Sequence, residues 1–173
     1  METFLEILKY ILPSLVVFGA TYFVIQKFMD NKHRKQLLQI RKENQQITTP
    51  LRLQAYERLV LFLERISLDS LVLRVHQQGM NAKQLQTELI KSVNQEFEHN
   101  LVQQMYISST TWGYVKKSKD DVIKVINMAS THLPANSKGV DLGQKIFEIM
   151  MKTEATPTNA AITLLKKEIR QLF

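Results

Sequence analysis

Residues 50–67 read PLRLQAYERLVLFLERIS, and their periodicity decides the fold class. Tyr56, Leu59, Leu63 and Ile66 recur at steps of three and four, Val60 and Phe62 widen the apolar face, and Glu57, Arg58, Glu64 and Arg65 supply the charged one. This is the pattern of an amphipathic helix facing a core. Thr48, Thr49 and Pro50 predict a break or kink just before it, with Thr49 as N-cap and Pro50 at the first helical position.

Working toward the carboxyl terminus, residues 71–75 (LVLRV) have strand-like composition, but no other segment offers a partner strand, so a short helix is expected. Gly79 punctuates the chain. Asn81 with Gln84 three residues on forms a capping-box start for a helix from about Ala82 to Tyr106, with Leu85, Leu89, Val93, Phe97, Leu101 and Met105 as its buried row. Ser108 or Ser109 starts the next helix, which turns Trp112, Val115, Val122, Ile126 and Ala129 inward, is weakened at its first turn by Gly113, and ends before Pro134. Residues 134–139 (PANSKG) read as a loop, and a shorter helix follows from about Asp141 to Lys152. Thr156 is expected to cap the last helix and Pro157 to begin it, with Leu164, Leu165, Ile169 and Leu172 along one face. Residues 50–173 therefore read as a small helical bundle, large enough to bury one core without metal or disulfide staples.

Toward the amino terminus, Tyr10 to Ile25 (YILPSLVVFGATYFVI) carries no charge and is bracketed by Lys9 and Lys27. Extended from Ile7 to Met29 it is long enough, at ~1.5 Å per residue, to span a hydrocarbon layer of ~30 Å. A cleaved signal would need a positive start and a small-residue cleavage site; here Glu2 and Glu6 precede Lys9, and Gln26, Lys27, Phe28 and Met29 follow the apolar run. A retained transmembrane anchor is expected. Lys27, Lys32, Arg34, Lys35, Arg41 and Lys42 follow it against Asp30 alone, an asymmetry that predicts an outside amino terminus and a cytoplasmic carboxyl-terminal domain.

The net charge of +7 is localised. Residues 1–25 sum to −1, residues 26–42 to +5 and residues 43–173 to +3. The juxtamembrane cluster is accounted for by orientation and anionic lipid, and nucleic-acid binding is not expected, since aromatic residues do not interleave the basic ones. In the stalk, residues 30–49, heptad spacing would place Leu37, Asn44 and Leu51 at a and Ile40 and Ile47 at d, where the polar Asn44 can fix register and strand number, but the pattern covers barely two heptads and a solvated connecting helix is the first expectation.

Catalytic signals are weak. Glu96, Glu98 and His99 are the best acid–base constellation, but residues one or two apart on a helix do not face each other, and Glu96 with His99 reads as an ordinary surface pair. Asp120 and Asp121 read as solvated charge. The four histidines make no metal spacing, there is no cysteine, and no P-loop or dinucleotide fingerprint occurs, so no metal or cofactor is expected. Trp112, Tyr114 and Tyr106, like Met150 and Met151, fit core packing or a partner groove.

Four strings, METFLEILKYILPSLVVF (1–18), TPLRLQAYERLVLFLERIS (49–67), EFEHNLVQQMYISS (96–109) and LKKEIRQLF (165–173), resemble an uncharacterised family of small membrane proteins from Bacteroidota, a domain of unknown function. The resemblance implies a bacterial inner-membrane location and a helical cytoplasmic domain, with no activity or ligand.

The expected architecture is thus all-α: a transmembrane anchor (1–29), a basic helical stalk (30–49) and a cytoplasmic helical domain (50–173). The expected function is non-enzymatic. The chain would serve as an adaptor or assembly subunit of a membrane complex, with the bilayer and another protein as partners. The alternative is a homo-oligomeric stator-like or scaffold subunit joined through the stalk.

Overall fold

The computed structural model describes residues 2–134, 136–153 and 156–171, with side chains from Leu15 onward except at residue 30. Its helices are α1 (Glu2–Arg65), α2 (Leu68–Val75), α3 (Ala82–Asn100), α4 (Ser109–Thr131), α5 (Gly139–Lys152) and α6 (Asn159–Arg170), with a 3₁₀ segment, Leu101–Met105, after α3. Among the described residues there is no strand, and the only β pairing is an isolated antiparallel bridge between Asn81 and Lys138. The all-helical expectation holds. The contacts divide the chain into two units, Met1–Thr49 and Pro50–Phe173.

The first unit is helical throughout its described residues. Among the described residues no helix is long and apolar enough to cross a membrane. Residues 7–14 of the expected span lie outside those whose side chains are described, and the crossing is not shown by the structure. From Leu15 to Ile25 the large apolar side chains, Phe18 and Phe23 among them, are 57–71% exposed.

The expected break at Thr48–Pro50 is corrected: α1 continues through these residues. Proline's φ is compatible with a helix, and its missing N–H removes one backbone bond. The Thr48 hydroxyl bonds back to the Asn44 carbonyl at 2.8 Å, a mid-helix contact and not a cap.

In the second unit α1 buries Ala55, Tyr56, Leu59, Phe62 and Leu63, and Ile66 in the turn after it is buried too; these make up the periodic face of residues 50–67, with Val60 at its half-buried edge. α3, α4 and α5 pack on one another, α6 packs on α4, and α2 packs on α3 and α5. Leu85, Leu89, Val93, Val115, Val122, Ile126, Leu142, Ile146 and Leu165 complete a single core. Each helix contributes its three- and four-step stripe, and burying such side chains stabilises by about 1.5–3 kcal/mol apiece before the entropy of ordering is subtracted.

The starts of α3 and α4 follow their local chemistry. Asn81 accepts the Gln84 N–H at 2.8 Å while the Gln84 side chain accepts the Asn81 N–H at 3.0 Å, a complete capping box. Ser108 caps α4 by accepting the Thr111 N–H at 3.2 Å. Three other expectations are corrected. α3 stops at Asn100, which takes φ −105° and ψ 3° and donates its side-chain amide to the Glu96 carbonyl at 2.8 Å. The chain then tightens to three residues per turn, so the four-step row fails and Leu101 and Met105 are 43% and 78% exposed.

α5 starts at Gly139, two residues before Asp141, because the Asp141 carboxylate accepts the Lys138 N–H at 2.8 Å and so belongs to the first turn. α6 starts at Asn159, not Pro157: residues 156–158 form a turn in which the Asn159 N–H reaches the Thr156 carbonyl at 3.2 Å. Leu172 lies outside the described residues.

Candidate functional site

Two polar arrangements stand out in the unit Pro50–Phe173, and both use α1. The first is centred on Glu168, near the end of α6. One carboxylate oxygen accepts the Tyr56 hydroxyl and the Ser108 N–H, each at 2.8 Å. The other accepts the Ser108 hydroxyl at 2.9 Å and, more closely, the Thr111 hydroxyl. The group thus ties α6 to α1 and sits on the N-terminus of α4, where exposed amides and the helix dipole favour an anion.

Burial is the largest single influence on Glu168 and opposes ionisation, yet the bonds from Thr111, the Ser108 N–H, Tyr56 and the Ser108 hydroxyl together outweigh it. The carboxyl is held below its ordinary value. Tyr56 is pushed up, first by burial and then by its bond to Glu168. Nearby, Arg52 Nε donates to the Tyr106 carbonyl at 3.2 Å, tying α1 to the turn before α4. The Tyr56, Ser108 and Thr111 hydroxyls and the Ser108 N–H all spend their protons on the carboxylate, which thereby ties α1, the start of α4 and α6 together.

The second arrangement is an open cleft of about 780 Å³ formed by α1, α2 and α3. Arg58, Arg65 and Arg74 line it together with Ser92, Gln95, Glu96, Glu98, His99 and Asn100, over Leu61 and Phe62. Arg65 Nε meets Glu96 at 3.0 Å. Arg74 donates to the Arg65 carbonyl at 3.1 Å, satisfying one of the acceptors left free at the end of α1. His99 Nδ1 lies 3.1 Å from the Gln95 carbonyl. Glu96 is therefore engaged by an arginine and His99 by its own helix, so the two do not pair with each other as the sequence suggested.

The remaining candidates sort simply. Trp112 stacks on Phe97 with ring centroids 5.5 Å apart, Phe97 meets Phe62 at 5.9 Å, and Lys119 Nζ lies 4.9 Å over the Phe97 ring. This places Trp112 against the core, whereas Tyr114 is exposed. Met150 packs on the core and Met151 is 90% exposed. Asp120 pairs with Lys119 at 3.4 Å and Asp121 with Lys124 at 3.0 Å. Among the described residues no group of His, Asp or Glu could hold a metal ion.

Lys27, Lys32, Arg34, Lys35, Arg41 and Lys42 are exposed along α1, as are Leu37, Ile40, Asn44, Ile47 and Leu51. Neither polar arrangement was visible in the sequence as a unit, because the partners of Glu168 lie 57 to 112 positions away.

Residues 2–172 match a family described as a family of unknown function (DUF7935). No curated protein matches the chain. No solved structure matches it.

Proposed function

We propose that this chain, which belongs to the DUF7935 family of unknown function, is a non-enzymatic single-pass protein of a bacterial inner membrane whose helical domain binds another protein as an adaptor or assembly subunit. The observation that carries the reading is the uncharged stretch Tyr10–Ile25, continued outward to residues 7–29 and followed by six basic residues against Asp30. An apolar helix with no polar stripe needs lipid or protein around it, and its described part is exposed on all sides. The basic cluster favours the cytoplasmic side, which puts Pro50–Phe173 in the cytoplasm.

Protein binding is supported by apolar surface that the domain leaves open. Leu53, Leu61, Leu73 and Val140 are 44–76% exposed. A mainly apolar groove of about 420 Å³ runs between α1 and α6, lined by Leu53, Val60, Leu61, Leu165 and Ile169 together with one charged residue of each sign, Glu57 and Lys166. Contiguous apolar surface of this kind marks interaction sites. The enzyme reading has less support, since Glu96 and His99 do not converge and Glu168 is fully engaged.

The test is mild-detergent purification of the tagged full-length protein, with mass spectrometry of what stays bound, alongside reporter fusions at either end. A reproducible partner and a cytoplasmic carboxyl terminus are expected. A bare monomer, or a protein released from membranes by salt alone, would overturn the reading.

A second reading, a homo-oligomeric stator-like or scaffold subunit, is favoured by the stalk pattern. Leu37, Ile40, Ile47 and Leu51 are 45–66% exposed on α1 with Asn44 among them, a row suited to a second helix of the same kind. Light scattering of the same preparation separates it from a heterologous complex.

A further inference from the structure

Leu61 stands on α1 between two surfaces of different chemistry. It lines the arginine cleft and also the apolar groove between α1 and α6, and it is 54% exposed where the two meet. Three of the five arginines of Pro50–Phe173, namely Arg58, Arg65 and Arg74, line the cleft, and none of that unit's lysines does. The distinction is chemical: a guanidinium offers a planar fork of donors that matches a carboxylate, and it sheds water more readily than an ammonium. Two carboxylates, Glu96 and Glu98, stand among the three arginines. Among the described residues Arg58 forms no ion pair, and Arg74 is held by a neutral carbonyl. The cleft therefore carries an excess of positive charge beside an apolar groove.

We infer that this face docks an acidic amphipathic helix of a partner protein. Its apolar side chains enter the groove over Leu53 and Leu61, and carboxylates on its flanking edge are taken by Arg58 and Arg74, beside the Arg65–Glu96 pair. Helix-in-groove recognition uses apolar anchors at helical spacing, and charge complementarity along the rim fixes orientation and speeds association. The inference rests on the adaptor reading and names the surface and the partner chemistry that reading requires.

The experiment uses the full chain in zwitterionic nanodiscs, with empty nanodiscs subtracted. The probe is a fluorescein-labelled helical peptide of leucine and glutamate, leucines on one face and glutamates along its edge, compared by anisotropy with a twin carrying glutamine for glutamate. The glutamate peptide binds about tenfold more tightly, with salt weakening the difference. Arg58→Glu lowers its affinity about tenfold, and Leu61→Gln lowers both peptides a few-fold. Both positions are exposed, so folding is preserved, and an unchanged Trp112 emission spectrum checks this.

Replacing Lys32, Arg34 and Lys35 by Gln leaves peptide binding unchanged. Equal binding of the two peptides, or loss only in the stalk variant, overturns the inference. An oligonucleotide of matching charge that binds as tightly and is lost with Arg58→Glu overturns it in favour of a phosphate site. A native partner that co-purifies undiminished with Arg58→Glu overturns it while leaving the adaptor reading intact; a protein that purifies alone overturns both.

Discussion

Replacing Glu168 by Ala tests whether the carboxylate is the tie that seats α6 and the start of α4. The substitution strips acceptors from the Tyr56 hydroxyl and the Thr111 hydroxyl, in residues that are 1% and 3% exposed, and from the Ser108 N–H. A buried donor left without an acceptor costs about 1–3 kcal/mol. Ser108 is exposed and water can replace its lost partner, so the two buried hydroxyls set the scale. Taking the lower half of that range for each gives a loss of about 2–4 kcal/mol, which for a domain of this size lowers the melting temperature by about 10 °C.

Glu168→Gln keeps one acceptor for Tyr56 and the Ser108 N–H and lets the two hydroxyls reverse their roles, for a loss of about 1 kcal/mol. The assay is thermal unfolding of the full chain in mild detergent, followed by the fluorescence of Trp112, the single tryptophan, which immediately follows Thr111. The folded-state value of Glu168 lies below its ordinary one. Its contribution is therefore complete above the ordinary glutamate range and is lost as pH falls through the folded value. Acidification should destabilise the parent protein more than Glu168→Gln. An Ala variant melting within about 2 °C of the parent, or identical acid profiles for parent and Gln variant, would refute the structural role.

Two glycines make a matched pair of opposite sign. A Cβ at Gly139 would meet the Met80 carbonyl oxygen at 3.0 Å and His76 Cδ2 at 3.3 Å, where the Gly139 N–H already bonds to that carbonyl at 2.8 Å; Gly139→Ala should cost about 1–3 kcal/mol in the same melt. At Gly113, exposed within α4, nothing lies within 4 Å, and Gly113→Ala should stabilise by about 0.5–1 kcal/mol. Met105→Gln should leave the melt within about 0.5 kcal/mol of the parent, because the 3₁₀ segment holds that side chain 78% exposed. Asn44→Leu should change the oligomer measured by light scattering if the stalk self-associates, and an unchanged monomer would remove the seam. Replacing Lys32, Arg34, Lys35, Arg41 and Lys42 by Gln should weaken the orientation preference in reporter fusions, and unchanged topology would count against the charge account.

What the sequence made legible and what it hid divide by range. The Asn81–Gln84 capping box, the Ser108 cap and the buried steps of α1, α3 and α4 are written within three or four positions, the span over which one helix turn determines its own contacts. The row beyond Phe97 failed because Asn100 used its side chain on the Glu96 carbonyl, a local competition that a hydrophobic count does not register. Pro50 misled in the other direction: Thr-Thr-Pro is equally the start of a helix and a tolerated interruption of one, and only the surrounding turns decide.

Glu168 and the arginine cleft belong to neither class. In LKKEIRQLF, Glu168 looks like one more charge on an amphipathic face, and Arg58, Arg65 and Arg74 look like the solvated sides of two helices. Their meaning comes from the packing of α1 against α6 and α3, which turns scattered exposed-face residues inward to a shared tie and outward to a shared cleft. A polar residue on a helix face is ambiguous until its neighbours from other helices are known. In this chain the same helix, α1, supplies both the buried tyrosine that Glu168 holds and two of the cleft arginines, Arg58 and Arg65, so the apolar stripe that fixes the bundle also sets where the proposed docking surface lies.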